Sequence, residues 1–346
     1  MNFCTLDKSD FTFVKNYRTI HESTLKTDEL QNWNILDEIF GFRNSVMPEH
    51  QCFEKMKNIA KRNFFGFVSF RSGLIHYINN KEMQEKKVAI IGCGNLGRAI
   101  ANGLLAQGNI LPEHITVTRR NTGLLTDLAS QGVSVTSDNA AAIQASDLII
   151  VALKPYNMEP ILKELNHQFV SGKHSIVSLA TGISIDQIDS CIDVDIPIFR
   201  AMPNTAADVK MSMTCIATNS KDEDAISLVK NYFDAIGESI FINESLMDSA
   251  TVLGACGIAY VLRFIRAMIQ GGITIGFDAK TATQIVNNTV KGAAELLIER
   301  NEHPEYEIDK VTTPRGCTIA GLNEMEHNGF SSALIKGIVT SFEEIG

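Results

Sequence analysis

From Lys87 onward the chain alternates between short apolar runs and longer stretches with helical spacing. Val88–Ile91 predicts a short buried strand, followed at once by Gly92-Cys93-Gly94-Asn95-Leu96-Gly97 and a helix through Gln107. Ile115–Thr118, Val133–Thr136, Leu148–Leu153, Ser175–Leu179, Ile196–Arg200 and Met213–Thr218 predict further strands. Strands alternating with helices of about 10–15 residues build βαβ units and a mainly parallel sheet. Near Ser245 the pattern changes: Ser245–Gly271, Asp278–Arg300 and Ser331–Glu344 predict helices with few strand signals between them. Long apolar helices such as Ala259–Ile269 exceed what one small domain needs to cover itself, which points to a homodimer interface.

The predicted architecture has three parts. Residues 1–85 form a mostly helical N-terminal extension, with helical spacing at Leu36, Ile39 and Phe40 and a cluster of Phe64, Phe65, Phe67 and Phe70. Those aromatics either pack on the main body or serve a regulatory or partner-binding segment, because so many would be costly to expose. Lys81–Lys87 is a polar linker. Residues 86–243 form an α/β Rossmann dinucleotide-binding domain, and residues 244–346 an all-α dimerisation and substrate domain.

Composition narrows the function classes. The net charge of −9, without a dense Lys/Arg footprint, argues against a nucleic-acid partner. The seven cysteines are scattered with no C-x-x-C pair, as expected of reduced thiols rather than a disulfide framework or zinc site. The N-terminus lacks a signal-peptide core, and no stretch is expected to reach the ~18–20 apolar residues of a membrane span. A cytoplasmic protein with no membrane partner is expected. The eight histidines show no metal-ligand spacing, so no metal is predicted; His303, before Pro304, reads as structural.

The candidate chemistry starts at Gly92. Gly92, Gly94 and Gly97 form a G-x-G-x-x-G loop directly after a strand and at the start of a helix, with Asn95 and Leu96 between them. The first glycine makes the tight turn, the second admits a pyrophosphate to the backbone, and the third lets helix and strand pack closely. The helix N-terminus then offers free N–H groups to the phosphates. An NAD site usually carries an acid about 20 residues on, for the ribose 2′-hydroxyl. Here the second strand ends in Thr118-Arg119-Arg120-Asn121. A guanidinium fork suits a 2′-phosphate, so NADP is preferred and NAD is the alternative. Two surface arginines that merely follow a strand are the plain reading of the same residues.

Several separated stretches carry a resemblance. Val88-Ala-Ile-Ile-Gly-Cys-Gly-Asn-Leu-Gly-Arg-Ala-Ile-Ala-Asn-Gly-Leu104, Val151-Ala-Leu-Lys-Pro155, Arg200-Ala-Met-Pro-Asn-Thr205 and Val311-Thr-Thr-Pro-Arg-Gly-Cys-Thr-Ile-Ala-Gly-Leu322 stand in the order of pyrroline-5-carboxylate reductases. The Gly292 stretch, the turn at His303-Pro304 and the Gly329-Phe330 pair are also similar to that family. The resemblance covers roughly residues 86–346. It implies reduction of the cyclic imine 1-pyrroline-5-carboxylate to L-proline by NADPH, the last step of proline biosynthesis, in a homodimer or larger homo-oligomer whose subunits share the substrate site. By position it implies that Asn139, Ala152, Leu153, Lys154 and Pro155 line the cofactor and that Ala180 and Thr181 lie near the nicotinamide. It places Glu244, Arg315, Gly316, Cys317 and Thr318 around the substrate, with Thr318 as the catalytic hydroxyl beside the imine nitrogen. Thr318 reads equally as a helix N-cap.

The chain departs from the family at the substrate loops. Ser-Gly-Ser-Gly-Pro-Ala-Tyr becomes Gly254-Ala-Cys-Gly-Ile-Ala-Tyr260, and Arg315 replaces a glycine in the carboxylate-binding turn. A side chain at 315 forces a different turn if φ must be positive, or aims a guanidinium at a more anionic substrate. Cys256 and Cys317 fall in these loops, as packing or as a redox pair. A non-catalytic NADP(H)-binding paralogue acting through the N-terminal extension is the alternative. The β-hydroxyacid dehydrogenase layout is disfavoured because Tyr260-Val-Leu-Arg-Phe264 lacks the lysine that chemistry uses.

Overall fold

The structure, a computed structural model, describes residues 86–345. The predicted N-terminal extension and its phenylalanine cluster lie outside the described residues.

Eight strands form one sheet in the order β3-β2-β1-β4-β5-β6-β7-β8. They are β1 (Val88–Ile91), β2 (Ile115–Thr118), β3 (Ser134–Thr136), β4 (Leu148–Val151), β5 (Ser175–Ser178), β6 (Ile198–Met202), β7 (Ser212–Thr218) and β8 (Gly237–Phe241). All pairings are parallel except β6 with β7. β1, β4, β5 and β6 are buried along their whole length; β1 and β4 accordingly run apolar without alternating, while β5 carries Ser175 and Ser178 and β6 carries Arg200. One face of the sheet packs on α1 (Asn95–Gln107), with Leu104, Val229 and Phe233 in its core. The other packs on α4 (Pro155–Leu165), with Met158, Leu162 and Ile188 in its core. This is the doubly wound, helix–sheet–helix arrangement the alternating pattern predicts.

Boundaries differ from the sequence pattern in physically clear ways. β4 stops at Val151, two residues early, because the chain turns at Ala152 into a helix that Pro155 opens. β6 begins at Ile198, after Pro197, and runs on to Met202. β8 carries no predictive signal: it is an edge strand, half-exposed and without a continuous apolar run.

After β8 the chain is helical. The run begins with Glu244–Leu246 and α7 (Met247–Ala250), then a π-helical turn (Thr251–Cys256) leads into α8 (Gly257–Thr274). Next come α9 (Ala279–Arg300), capped by Asp278, and α10 (Pro304–Val311), capped by His303. α11 (Cys317–His327) and α12 (Phe330–Glu343) follow. α10 and α11 are additions to the predicted set. The expectation of no span-length apolar run is corrected: the 31-residue run Glu244–Thr274 is long and apolar enough by length and composition, with an 18-residue window of mean hydropathy 1.7. Their apolar character does not come from burial within the chain, since α8 has no buried residue. Tyr260 donates its hydroxyl to Ser341 Oγ at 2.6 Å and Phe264 meets Phe330, tying α8 to α12.

Candidate active site

β1 and β4 lie side by side while their neighbours diverge to opposite edges. In such sheets ligands sit at the carboxyl ends of the strands where the order reverses. The glycine loop follows β1 and Ala152–Pro155 follows β4, so the switch point joins two of the predicted cofactor segments.

The local geometry explains the glycines. Gly92 has φ +87°, and a Cβ there would sit 2.6 Å from Leu153 Cδ2 and 3.0 Å from the Ala152 carbonyl oxygen. The β1 and β4 loops are thus in direct contact. At Gly97 a Cβ would lie 3.1 Å from Ile90 Cγ2, so the third glycine sets the closeness of α1 to the sheet. Gly94 is open: a Cβ there would meet only the Gly92 carbonyl oxygen, at 4.0 Å. That free face, at the N-terminus of a 13-residue helix, fits a pyrophosphate group.

The end of β2 braces the loop. Gly92 N–H donates to Thr118 Oγ1 at 3.1 Å, and Cys93 N–H to the Thr118 carbonyl at 2.7 Å. Arg119 Nη1 donates to the Cys93 carbonyl at 3.2 Å, which lays its guanidinium against the glycine loop; Arg120 is exposed beside it. Arg98 holds the segment after β2 through Asp127 and the Leu124 carbonyl. Burial pushes the Cys93 thiol up to about 11, so it stays protonated and unreactive near neutral pH.

The remaining cofactor residues sit at helix starts and loop ends. Asn139 is the first residue of α3 (Asn139–Gln144) and Lys154 the exposed residue before Pro155. Ala180 is buried, its N–H on Ser178 Oγ at 3.2 Å, and Thr181 follows it. Ala180 and Thr181 therefore leave the sheet from β5, next to β4.

The predicted substrate residues divide into two places. Glu244 lies against the sheet: its Oε1 accepts from Ile185 N–H at 2.7 Å and from Arg200 Nη1 at 3.1 Å. Arg315 and Gly316 lie in the turn before α11, and Cys317 and Thr318 are its first two residues. Gly316 is the N-cap, and a Cβ there would be 2.5 Å from Thr313 Oγ1. Thr318 is the second residue of the helix, so the N-cap reading of its hydroxyl is corrected. Arg315 does adopt positive φ, +61°, without a glycine. Cys317 and Thr318 are exposed. Among the described residues no hydrogen bond or ion pair joins 313–318 to the nucleotide-binding part.

Arg200, Asp248 and Asn204 are site neighbours that residue patterns did not assign. Arg200 is 7% exposed and lies 3.7 Å from Asp248 Oδ1. Asn204 Nδ2 donates to the Gly254 carbonyl at 3.0 Å, satisfying an acceptor of the π-helical turn. Arg200 opens one of the stretches that carry the resemblance and is a charged residue inside the strand Ile198–Met202, but neither signal names its partners.

Sheet order, glycine loop and braced arginine together define a Rossmann-type dinucleotide-binding oxidoreductase fold with a helical C-terminal segment. Residues 87–182 match the family model for NADP oxidoreductase, coenzyme F420-dependent, and residues 244–345 the model for pyrroline-5-carboxylate reductase dimerisation. The chain is 46% identical over 275 residues to pyrroline-5-carboxylate reductase 1 of Dictyostelium discoideum, covering 76% of this chain but 50% of that one. It is 42% identical over 275 residues to pyrroline-5-carboxylate reductase 2 of the same organism, covering 75% of this chain and 92% of that one. The crystal structure of Plasmodium falciparum pyrroline carboxylate reductase with NADP bound has the same fold, with TM-score 0.70 at 24% identity over 76% of this chain and 98% of that one. The chain belongs to the pyrroline-5-carboxylate reductase family.

Proposed function

We propose that this protein reduces the cyclic imine 1-pyrroline-5-carboxylate to L-proline with NADPH, as a cytoplasmic homodimer or larger homo-oligomer. Family membership supports the reaction, and the loop geometry at Gly92–Gly97 with Arg119 against it supports the cofactor. The single observation that carries the reading is this conjunction: a nucleotide loop at the sheet's switch point and a matched helical segment over 244–345.

Bound NADPH supplies the hydride. The chain's own work is placement, because a cyclic iminium carbon accepts hydride readily once held in a near-attack geometry. Gly94, Asn95, Leu96 and the α1 N-terminus receive the pyrophosphate, and Ala152–Pro155 with Asn139 flank it. Arg119 and Arg120 hold the 2′-phosphate through charge-assisted hydrogen bonds. Ala180 and Thr181 bound the nicotinamide end. On the substrate side, the Arg315–Thr318 turn offers backbone N–H groups and the Arg315 charge to the carboxylate, and the Thr318 hydroxyl orients the imine nitrogen. We place the boundary between nucleotide and substrate parts at 243/244, where the dimerisation match begins. The apolar Glu244–Thr274 run then serves a subunit interface rather than a membrane span, and neither nucleic acid nor metal takes part.

Mixing the purified protein with NADPH and DL-pyrroline-5-carboxylate should oxidise NADPH and form proline. The double variant Arg119→Ala/Arg120→Ala should raise KM for NADPH about 10-fold or more while moving KM for NADH little, each lost charged hydrogen bond being worth about 1.5–3 kcal/mol. Equal losses with both cofactors would sink the 2′-phosphate assignment, and absence of proline would sink the reaction.

A further inference from the structure

The Arg200 cluster has no part in the reaction as set out above, yet it sits where the sheet meets the helical segment. Arg200 is the buried charge of β6, flanked by Phe199 and Ala201, which are fully buried. Its Nη1 reaches Glu244 Oε1 at 3.1 Å and its Nη2 lies 3.7 Å from Asp248 Oδ1. Nε and Nη2 of Arg200 and Oδ1 of Asp248 are buried without a hydrogen-bond partner. A buried cation with unfilled donors is expensive to keep, and an apolar side chain of similar size would serve stability better.

What it holds is Glu244. The same Oε1 that meets Arg200 also accepts the Ile185 backbone N–H at 2.7 Å. Ile185 is the first residue of α5 (Ile185–Asp189), whose N-terminus is otherwise closed by a capping box. Ser184 Oγ accepts from Gln187 N–H, and Gln187 Oε1 accepts from Ser184 N–H. Glu244 supplies the acceptor for an N–H that the box leaves open. The segment between β5 and Ser184 carries Ala180 and Thr181, so Glu244 pins one end of the nicotinamide loop and β5 the other.

We propose that Arg200 and Glu244 are positioning residues: Arg200 fixes the Glu244 carboxylate, which fixes the Ala180–Thr181 loop and, with Asp248, the entry to the helical segment. This reassigns Glu244 from the substrate to the scaffold. It rests on the reading of Ala180–Thr181 as the nicotinamide wall, and it adds that one buried guanidinium joins Asn204 in registering sheet and helical segment to each other. Both contacts fall on Oε1, so one carboxylate oxygen ties the guanidinium to the Ile185 amide.

The variants Glu244→Gln and Arg200→Lys, singly and together, test this in the full chain. Both singles should lower kcat by about 10- to 100-fold, the scale of sub-ångström to ångström misplacement, with KM for the imine unmoved. Hydrogen exchange in the peptide spanning 179–189 should accelerate in both, and the fluorescence of bound NADPH should shift. The double variant should be no worse than the poorer single, because one network is cut twice. A rise in KM for the imine in Glu244→Gln, with exchange and NADPH fluorescence unchanged, would overturn the proposal and return Glu244 to the substrate. So would fully additive losses. If Arg200→Lys does not fold, Glu244→Gln alone decides through the exchange and fluorescence readouts. Those two need no imine, so a wild-type protein that fails to make proline defeats the reaction assignment without touching this one.

Discussion

Arg315 holds φ +61° in the turn that leads into α11, a conformation in which a Cβ crowds the following carbonyl at a cost of about 1–2 kcal/mol. Gly316 beside it has no room for a side chain, so the turn keeps its tight form and the strain falls on 315. Arg315→Gly should therefore leave the turn intact and raise the unfolding free energy by about 0.5–1 kcal/mol, the strain relieved less the extra chain entropy of glycine. Urea unfolding at fixed protein concentration measures it, and a lower midpoint would mean the arginine makes contacts that outweigh its backbone. The residue scale also shows where reading a sequence stops. Arg119 was legible because it adjoins a strand end with a known job. Arg200 was not, since its partners Glu244 and Asp248 lie more than forty residues on and an ion pair of that span is set by folding.

Among the elements, α1 makes its tightest approach at Gly103. A Cβ on Gly103 would fall 2.3 Å from the Ala207 carbonyl oxygen and 2.8 Å from Ile236 Cγ2. Helix propensity alone favours alanine over glycine by about 1 kcal/mol. Overpacking against a backbone carbonyl reverses the sign, so Gly103→Ala should destabilise by about 1–3 kcal/mol. Thermal unfolding at or above the wild-type midpoint would show that the Thr205–Val209 turn yields more easily than its packing implies. Strands were legible in proportion to burial. β1 and β4 are continuous apolar runs because both faces are covered, and the sequence shows them directly. β8 escaped because an edge strand with residues such as Ile240 and Phe241 exposed mixes polar and apolar positions without a clean period. α10 and α11 escaped because they are short, at 8 and 11 residues, and mix charged or glycine positions among their apolar ones.

At the scale of the molecule, the helical segment is incomplete as a single chain. Leu262, Ile335 and Val339 are about half or more exposed, at 58%, 61% and 48%. Monomers rarely leave so many large apolar side chains in one region open, and the match to a dimerisation model assigns that region to homo-oligomer contacts. Leu262→Asp together with Ile335→Asp should shift the protein to monomer in light scattering and abolish turnover, since the Arg315–Thr318 turn has no tie to the nucleotide part within one chain. A fully active monomer would show that one chain holds a whole site.

The π-helical turn at Thr251–Cys256 carries a consequence for this assembly. An α-helix advances about 100° per residue, so one surplus residue in a turn rotates all that follows by about that angle relative to all that precedes. Upstream, Met247 is buried within its own chain; downstream, Leu262 is open. The wide turn is thus an angular offset between inward and outward halves of one continuous rod, locked by Asn204 on the Gly254 carbonyl. Removing one residue there would leave a smoother helix and turn its greasy side about a quarter-turn away from any neighbour, so the length of this segment is as constrained as its composition.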